Sequence, residues 1–383
     1  MNIGKMIYAD NAATTKLDID AFEAMKPYLL EEYGNASQPY SFARKPKQAL
    51  KEARSIIARC INAEPEEIYF TSGGTESDNW AIKGMLLGDV EKRSIITSQI
   101  EHHAILRTCE KMEKLGYPVA YLPVNSEGTV AIETLESIIT PATRLVSIMF
   151  ANNEVGTIEP IKDLCEIAHK YRAFFHTDAV QAVGHIQIDV KELGVDMLSA
   201  SAHKFNGPKG IGFLYVKKGT PISQYANGGA QEFGLRAGTE NVASIVGMAV
   251  ALKKNCDALE SNAKYIKQLE VKLIDCLSES GLDFVRNGAI QRIPGNISLS
   301  FRGKDGEALL HRLDLMGICV STGAACDTVN TQISHVLNAM NVEKVYARGT
   351  IRVSLSANNT EAEINQISKC IIKILKPYGG KHV

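Results

Sequence analysis

Lys204 follows His203 directly in SASAHKFNGPKGIGF, residues 199–213, behind a run of small residues and ahead of an Asn-Gly-Pro turn. A solvated lysine needs no such frame, because its stem is flexible and its ammonium strongly hydrated. An amine that must reach a ligand inside a protein does need one, since small neighbours leave room and a glycine turn sets direction. Other clusters could work with it. TSGGTES (71–77) follows an apolar run and opens a helical pattern, so Gly73 and Gly74 let backbone amides approach an anion while Thr75 adds a hydroxyl. Its spacing is neither the GxxxxGK[ST] of a P-loop nor the GxGxxG of a dinucleotide site. HTDAVQ (176–181) places Asp178 after the apolar AFF, where a partly desolvated carboxylate wants a cationic partner. IEHHA (100–104) and FANNE (150–154) also follow apolar runs. Each cluster alone has a plainer use as a tight loop, a helix cap or a loop hydrogen-bonder. Together, a phosphate cradle, a strand-end carboxylate, histidines and a framed amine are the parts of a pyridoxal 5′-phosphate site. Lys204 would form the Schiff base and Asp178 would keep the pyridine nitrogen protonated.

These residues need a scaffold that brings them to one edge. From about residue 50 to 220, short β-rich runs alternate with longer helical patterns: EEIYF, RSIITS, RLVSIMF, AFFHTD, DMLSAS and GIGFLYV mark the strands. That alternation predicts a mainly parallel sheet covered by helices, with ligands at the carboxyl ends of its strands. Every polar cluster quoted above falls there. After Val242 a long helical region runs to about Ser280, and from about Gly281 the runs FVRN, NISLSF, ICVS and TIRVSL mix with helices as in a smaller α+β domain. The expected division is 16–255 for a large cofactor-binding domain, with 1–15 and 256–383 forming the small one.

Bulk composition excludes several classes. Lys plus Arg (42) nearly cancels Asp plus Glu (43), so no global basic field holds nucleic acid and no polybasic tract meets a membrane. No apolar run nears the roughly 20 residues that span a bilayer, and the start lacks a signal-peptide pattern, so the expected location is the cytosol. The eight cysteines include no CxxC pair, which argues against a zinc site or a disulfide framework. Cys109, Cys165, Cys276 and Cys370 fall in helical patterns as expected buried thiols, and Cys319 reads as a buried strand residue. Cys326, in the small and polar stretch STGAACDTVNTQ, is instead expected on an exposed, mobile loop, where a thiolate could act as nucleophile.

Nearly the whole chain resembles a NifS/IscS-type cysteine desulfurase of the class V aminotransferase group. YADNAATT (8–15), FTSGGTESDN (70–79), EHHA (101–104), ANNEVG (151–156), HTDAVQ, SAHKFNGPKG, LRAGTENV (235–242), STGAAC (321–326) and IRVSL (351–355) occur in that family's order. The resemblance implies a large domain with a mainly parallel, seven-stranded sheet sandwiched by helices, plus the smaller α+β domain that carries the cysteine loop. It also implies roles. His102 stacks on the cofactor ring and assists proton transfer, Asn153 and Gln181 contact its phenolic oxygen, and Gly74, Thr75, Ser201 and His203 hold its phosphate. Thr239 would reach in from the other subunit of a homodimer, and Arg352 with Asn35 would bind the substrate carboxylate. Cys326 would take sulfur from L-cysteine as a persulfide and pass it to an acceptor protein, leaving alanine. Two departures, Phe233 in QEF where the family has QER and NASQ (35–38) for NPSS, bear on substrate anchoring or a partner surface. Selenocysteine lyase, an aminotransferase and a non-catalytic scaffold are the alternatives; Cys326 favours desulfuration over transamination, which has no use for a thiol, and intact Lys204, Asp178 and Cys326 argue against a scaffold.

Overall fold

The computed structural model describes residues 6–87, 94–322 and 333–376. In chain order the strands are β1 (Ile7–Tyr8), β2 (Ile68–Thr71), β3 (Ser94–Ser98), β4 (Val119–Leu122), β5 (Thr143–Ser147), β6 (Phe174–Asp178), β7 (Met197–Ser201), β8 (Gly212–Val216), β9 (Phe284–Arg286), β10 (Asn296–Phe301), β11 (Ile318–Cys319) and β12 (Thr350–Ser354). Seven of them form the large sheet, in the order β2-β8-β7-β6-β5-β3-β4. From β4 to β7 neighbours run parallel, each joined through a covering helix, as the alternation of runs predicts. β8 is the exception and lies antiparallel to both β7 and β2. The physical reason is length: residues 202–211 are too few for the crossover that a parallel neighbour requires.

Helices cover both faces, so β5, β7 and β8 are buried along their whole lengths. On one face Trp80, Met85, Ile105 and Met112 pack on Ile95, Leu145, Met197 and Leu214. On the other, Ile57, Leu164, Met248 and Leu252 meet Ile96, Val146, Phe175 and Phe213 in the larger core. Gly212 shows how tight the sheet is at its site-facing end: a Cβ there would lie 2.4 Å from the Ala200 carbonyl oxygen and 2.7 Å from Gly73 Cα. Only glycine lets β8 pass that close to the turn after β2.

The helical region after Val242 is two helices, Val242–Asp257 and Leu259–Glu279, rather than one. The break at Ala258 lets each bury its apolar stripe in a different core. The first packs on the helices Ile19–Leu30 and Arg44–Cys60. The second sends Leu269, Leu273 and Leu277 into a separate core with Ile297, Leu299, Ile351, Val353 and Ile367. That core covers an antiparallel sheet in the order β12-β10-β9, and Ile7 and Ala9 join it because β1 pairs with β11. Cys109 and Cys165 are buried helical thiols, as expected; Cys276 and Cys370, also on helices, are only half-buried, as is Cys319 on β11. No helix among the described residues is long and apolar enough to cross a membrane.

One buried group outside the site sets a pH dependence. Glu159 is 3% exposed, accepts the Val130 N–H at 2.9 Å, and is pushed by burial from 4.5 to about 8. The folded chain therefore keeps a proton that the unfolded chain releases at ordinary glutamate pH. Its stabilising contribution is complete below about pH 4.5 and is lost as pH rises through about 8. Glu159→Gln is expected to flatten the decline of Tm across that window, measured by calorimetry in matched buffers.

Candidate active site

The carboxyl ends of β2, β3, β5, β6 and β7 converge, and each delivers one polar group through a short turn. Asp178 is the last residue of β6, and Lys204 closes a single 3-10 turn, Ala202–Lys204, directly after β7. The Lys204 amine donates to the carbonyls of Ala12 at 2.6 Å and Ala13 at 2.8 Å, and Gln181 Nε2 donates to the same Ala12 carbonyl at 3.0 Å. His203 Nδ1 lies 3.1 Å from Thr14 Oγ1. The segment 10–15 is thus a hub for the site, a role that its motif alone did not reveal.

Asp178 is buried, and its Oδ1 accepts the Val180 N–H at 2.9 Å. Burial raises its carboxyl above the usual aspartate range, while His102, the Val180 amide and Lys204 pull it back. His102 caps the helix His103–Lys114, with Nδ1 accepting the Ala104 N–H at 3.1 Å. Burial holds His102 below its ordinary value against the pull of Asp178, and Lys204 and His103 lower it further. His102, Asp178 and Lys204 therefore share one electrostatic field.

The helix Gly74–Leu86 begins without a side-chain cap, with Gly73 at φ 145° before it. A Cβ at Gly73 would sit 3.3 Å from Ser201 Oγ, and one at Gly74 would strike Val180 at 2.6 Å. The first amides of this helix, the exposed Thr75 hydroxyl and Ser201 make a cradle suited to a doubly charged anion. His203, half-buried, is lowered to about 4 by burial first and by Lys204 and Lys209 next, so it meets such an anion as a neutral ring.

Arg352, on β12, is 5% exposed. Its guanidinium bonds the Asn153 carbonyl at 2.8 Å and Asp10 Oδ1 at 2.7 Å, and its buried Nε has no hydrogen-bond partner among the described residues. Asn153 accepts through its backbone, so its side chain is not spent on Arg352. Asn35 stands in the loop after the helix Ile19–Leu30, where its Oδ1 accepts the Ser37 N–H at 2.9 Å. Thr239 is exposed and lines a different cavity, of about 230 Å³, with Ser72, Arg236 and Glu240. Cys326 lies outside the described residues. Described residues on either side of it meet the site: Ser321 and Arg352 exchange backbone hydrogen bonds at 2.7 and 3.1 Å, the Ser334 hydroxyl donates to Glu154, and His335 Nε2 lies 3.1 Å from the Glu101 carbonyl. Asp10, Thr14, Asp78, Glu101 and His176 were not singled out from the sequence, although the motifs that contain all five were.

The family profile "Aminotransferase class-V" matches residues 7–367. The chain belongs to that family. Among class-V relatives, the cysteine desulfurase IscS of Clostridium botulinum (strain Hall) is 45% identical over 378 residues, covering 98% of this chain and 95% of that protein. A solved NifS-like protein superimposes with a TM-score of 0.92 at 40% identity, over 97% of this chain and 99% of its own. The structure titled SspA in complex with cysteine matches with a TM-score of 0.82 at 35% identity, over 92% and 100% of the two chains. The cofactor of this class-V chain is pyridoxal 5′-phosphate. The site fits it on its own geometry: an uncapped helix start and Ser201 for the phosphate, an amine for the aldehyde, and a buried carboxyl for the ring nitrogen. Among the described residues no cluster of His, Cys, Asp or Glu could hold a metal ion.

Proposed function

We infer that this protein is a pyridoxal-phosphate-dependent cysteine desulfurase, which converts L-cysteine to L-alanine and keeps the sulfur as a persulfide on Cys326. The observation that carries the reading is the convergence of Lys204, Asp178 and His102 in one field beside an uncapped helix start. Gly74, Thr75, Ser201 and His203 would hold the phosphate, Asp178 the ring nitrogen and Asn153 and Gln181 the phenolic oxygen, and His102 would support the ring. When bound, the cofactor supplies an electron sink for charge that develops on the substrate carbon.

The chain's own groups do the rest. Arg352 keeps N–H donors on its two terminal nitrogens for the substrate carboxylate, since Asp10 and Asn153 occupy only part of its fork, and Asn35 completes that subsite. Lys204 Nζ takes the Cα proton and returns a proton to carbon. The Cys326 thiolate attacks the substrate sulfur: the carbon–sulfur bond breaks, a sulfur–sulfur bond forms, and the carbon fragment gains a proton to become alanine. His102, neutral and half-buried, can relay that proton through Nε2. Arg352→Lys keeps the charge beside Asp10 but loses the fork; at about 1.5–3 kcal/mol for charge-assisted bonds, KM for cysteine is expected to rise roughly tenfold or more. Steady-state kinetics with kcat changed less than KM would support the anchoring role.

The persulfide is passed on to an acceptor protein. Two copies of the chain associate, with Thr239 of one reaching the phosphate of the other. The exposed side chains of Leu29, Leu30, Tyr33 and Phe42, of which Tyr33 and Phe42 pack edge to face at 5.1 Å, support association, because exposed apolar surface marks interaction sites. Sedimentation at micromolar concentration is expected to give twice the chain mass. Free thiols at all seven described cysteines support a reducing cytosolic location. The function is tested by incubating purified protein with L-cysteine and a thiol reductant. Equal amounts of alanine and sulfide are expected, and 3-mercaptopyruvate without sulfide would indicate transamination instead.

A further inference from the structure

Asp78, on the helix Gly74–Leu86, is 1% exposed and has no part in the chemistry above. Its Oδ1 is buried without a hydrogen-bond partner among the described residues. The nearest cation-capable group is His176 on β6, whose Nε2 lies 3.8 Å away, too far for a hydrogen bond. That imidazole is already satisfied: Ser147 Oγ lies 2.9 Å from Nδ1 and Ser199 Oγ 2.9 Å from Nε2. Burial lowers His176 to about 3, so it is neutral. Ser147, His176 and Ser199 thus form a hydrogen-bonded line through the sheet interior, and the Ser199 hydroxyl opposes the rise that burial imposes on the Asp78 carboxyl.

Asp178 belongs to the same patch. It stands two residues after His176, on the same face of β6, and pairs in register with Ser199. The titratable groups whose fields reach Asp78 are His176 and Asp178 on β6 and Glu101 after β3. No Lys or Arg ion pair to Asp78 occurs among the described residues. Two carboxyls buried in one field without a cation between them do not both ionise, because each charge adds desolvation and repulsion to the other. The two are not equivalent: Asp178 has Lys204 and His102 in its field, whereas Asp78 has only a neutral imidazole.

We propose that Asp78 is a positioning residue that keeps its proton, so that the single negative charge of this buried patch stays on Asp178, opposite the cofactor's ring nitrogen. The proposal rests on the role given to Asp178 above. An ionised Asp78 would raise the proton affinity of Asp178 and weaken its hold on a cationic ring.

Infrared spectroscopy at neutral pH tests the protonation state directly, because protonated and ionised carboxyls absorb in separate regions. Holoenzyme labelled with ¹³C-aspartate is expected to show a shifted protonated-acid band, which Glu101 and Glu159 do not contribute. That band is expected to disappear in Asp78→Asn. A loss of carboxylate absorbance in its place would overturn the proposal, as would the absence of any label-shifted acid band in the wild type, a result that does not depend on the variant folding. The second readout is the pH titration of the bound cofactor's visible absorbance. Asp78→Asn, which mimics the neutral acid, is expected to leave its midpoint in place. A shift of about one pH unit or more, tenfold in proton affinity, would mean that Asp78 is charged. Asp178→Asn separates the two levels: if it leaves that absorbance unchanged, the reading of Asp178 fails, whatever the infrared band of Asp78 shows.

Discussion

Lys204→Ala is expected to lower alanine formation from L-cysteine by about 10⁴-fold or more and to remove the visible absorbance of the covalently held cofactor. General acid–base catalysis by one placed group contributes roughly 10²–10⁴, and in the proposed function this residue also anchors the aldehyde. Its amine is fixed on both sides of the peptide chain: the Ala12 and Ala13 carbonyls hold Nζ, and His185 Nε2 lies 2.9 Å from the Lys204 carbonyl. His203, the preceding side chain, is lowered to about 4 by burial and by Lys204 and Lys209, too weak a base to replace the missing amine. Reconstitution with excess cofactor followed by absorbance and single-turnover alanine assays checks both parts. A variant that keeps the covalent absorbance would show that another amine holds the cofactor.

Cys326→Ser is expected to abolish sulfide and persulfide formation while sparing the earlier proton step. A serine hydroxyl has no thiolate to offer at neutral pH and no means of storing sulfur as a persulfide. Lys204 and Asp178 are untouched by the change, so exchange of the substrate Cα hydrogen in deuterated water should continue near the normal rate. Mass spectrometry of the wild type after cysteine treatment should show one added sulfur on the peptide containing Cys326, absent in the variant. Sulfide release that survives the substitution would move the nucleophile elsewhere. The flanking contacts of Ser321 with Arg352 and of Ser334 with Glu154 support the assignment, because they tie the chain on both sides of Cys326 to motifs of the site.

The candidate site residues were legible because most of them follow a strand directly. Apolar runs ending in SGGT, HTD and SAHK announce both the strand and its polar terminus, and an α/β sheet gathers such termini at one edge. The elements with least chemistry were the least legible: β4 and the helix Arg44–Cys60 carry no motif and were not separated from their surroundings. The long helical region after Val242 showed no division at Ala258 because helical periodicity continues through it; the break reflects two different cores, which a one-dimensional pattern does not contain.

By itself, the sequence determined the candidate reactive groups, the alternation of strand and helix, and the end of the sheet at which those groups gather, since each is a local consequence of residue type and spacing. Only the tertiary structure decided that Asp10 pairs with Arg352 across 342 positions, that the Ala12 carbonyl collects both Lys204 and Gln181, that β8 turns antiparallel, and that Asp78 lies buried with no Lys or Arg ion pair among the described residues. These depend on which distant surfaces exclude water together. Burial and long-range pairing are properties of the packed chain, and no local window of residues encodes them.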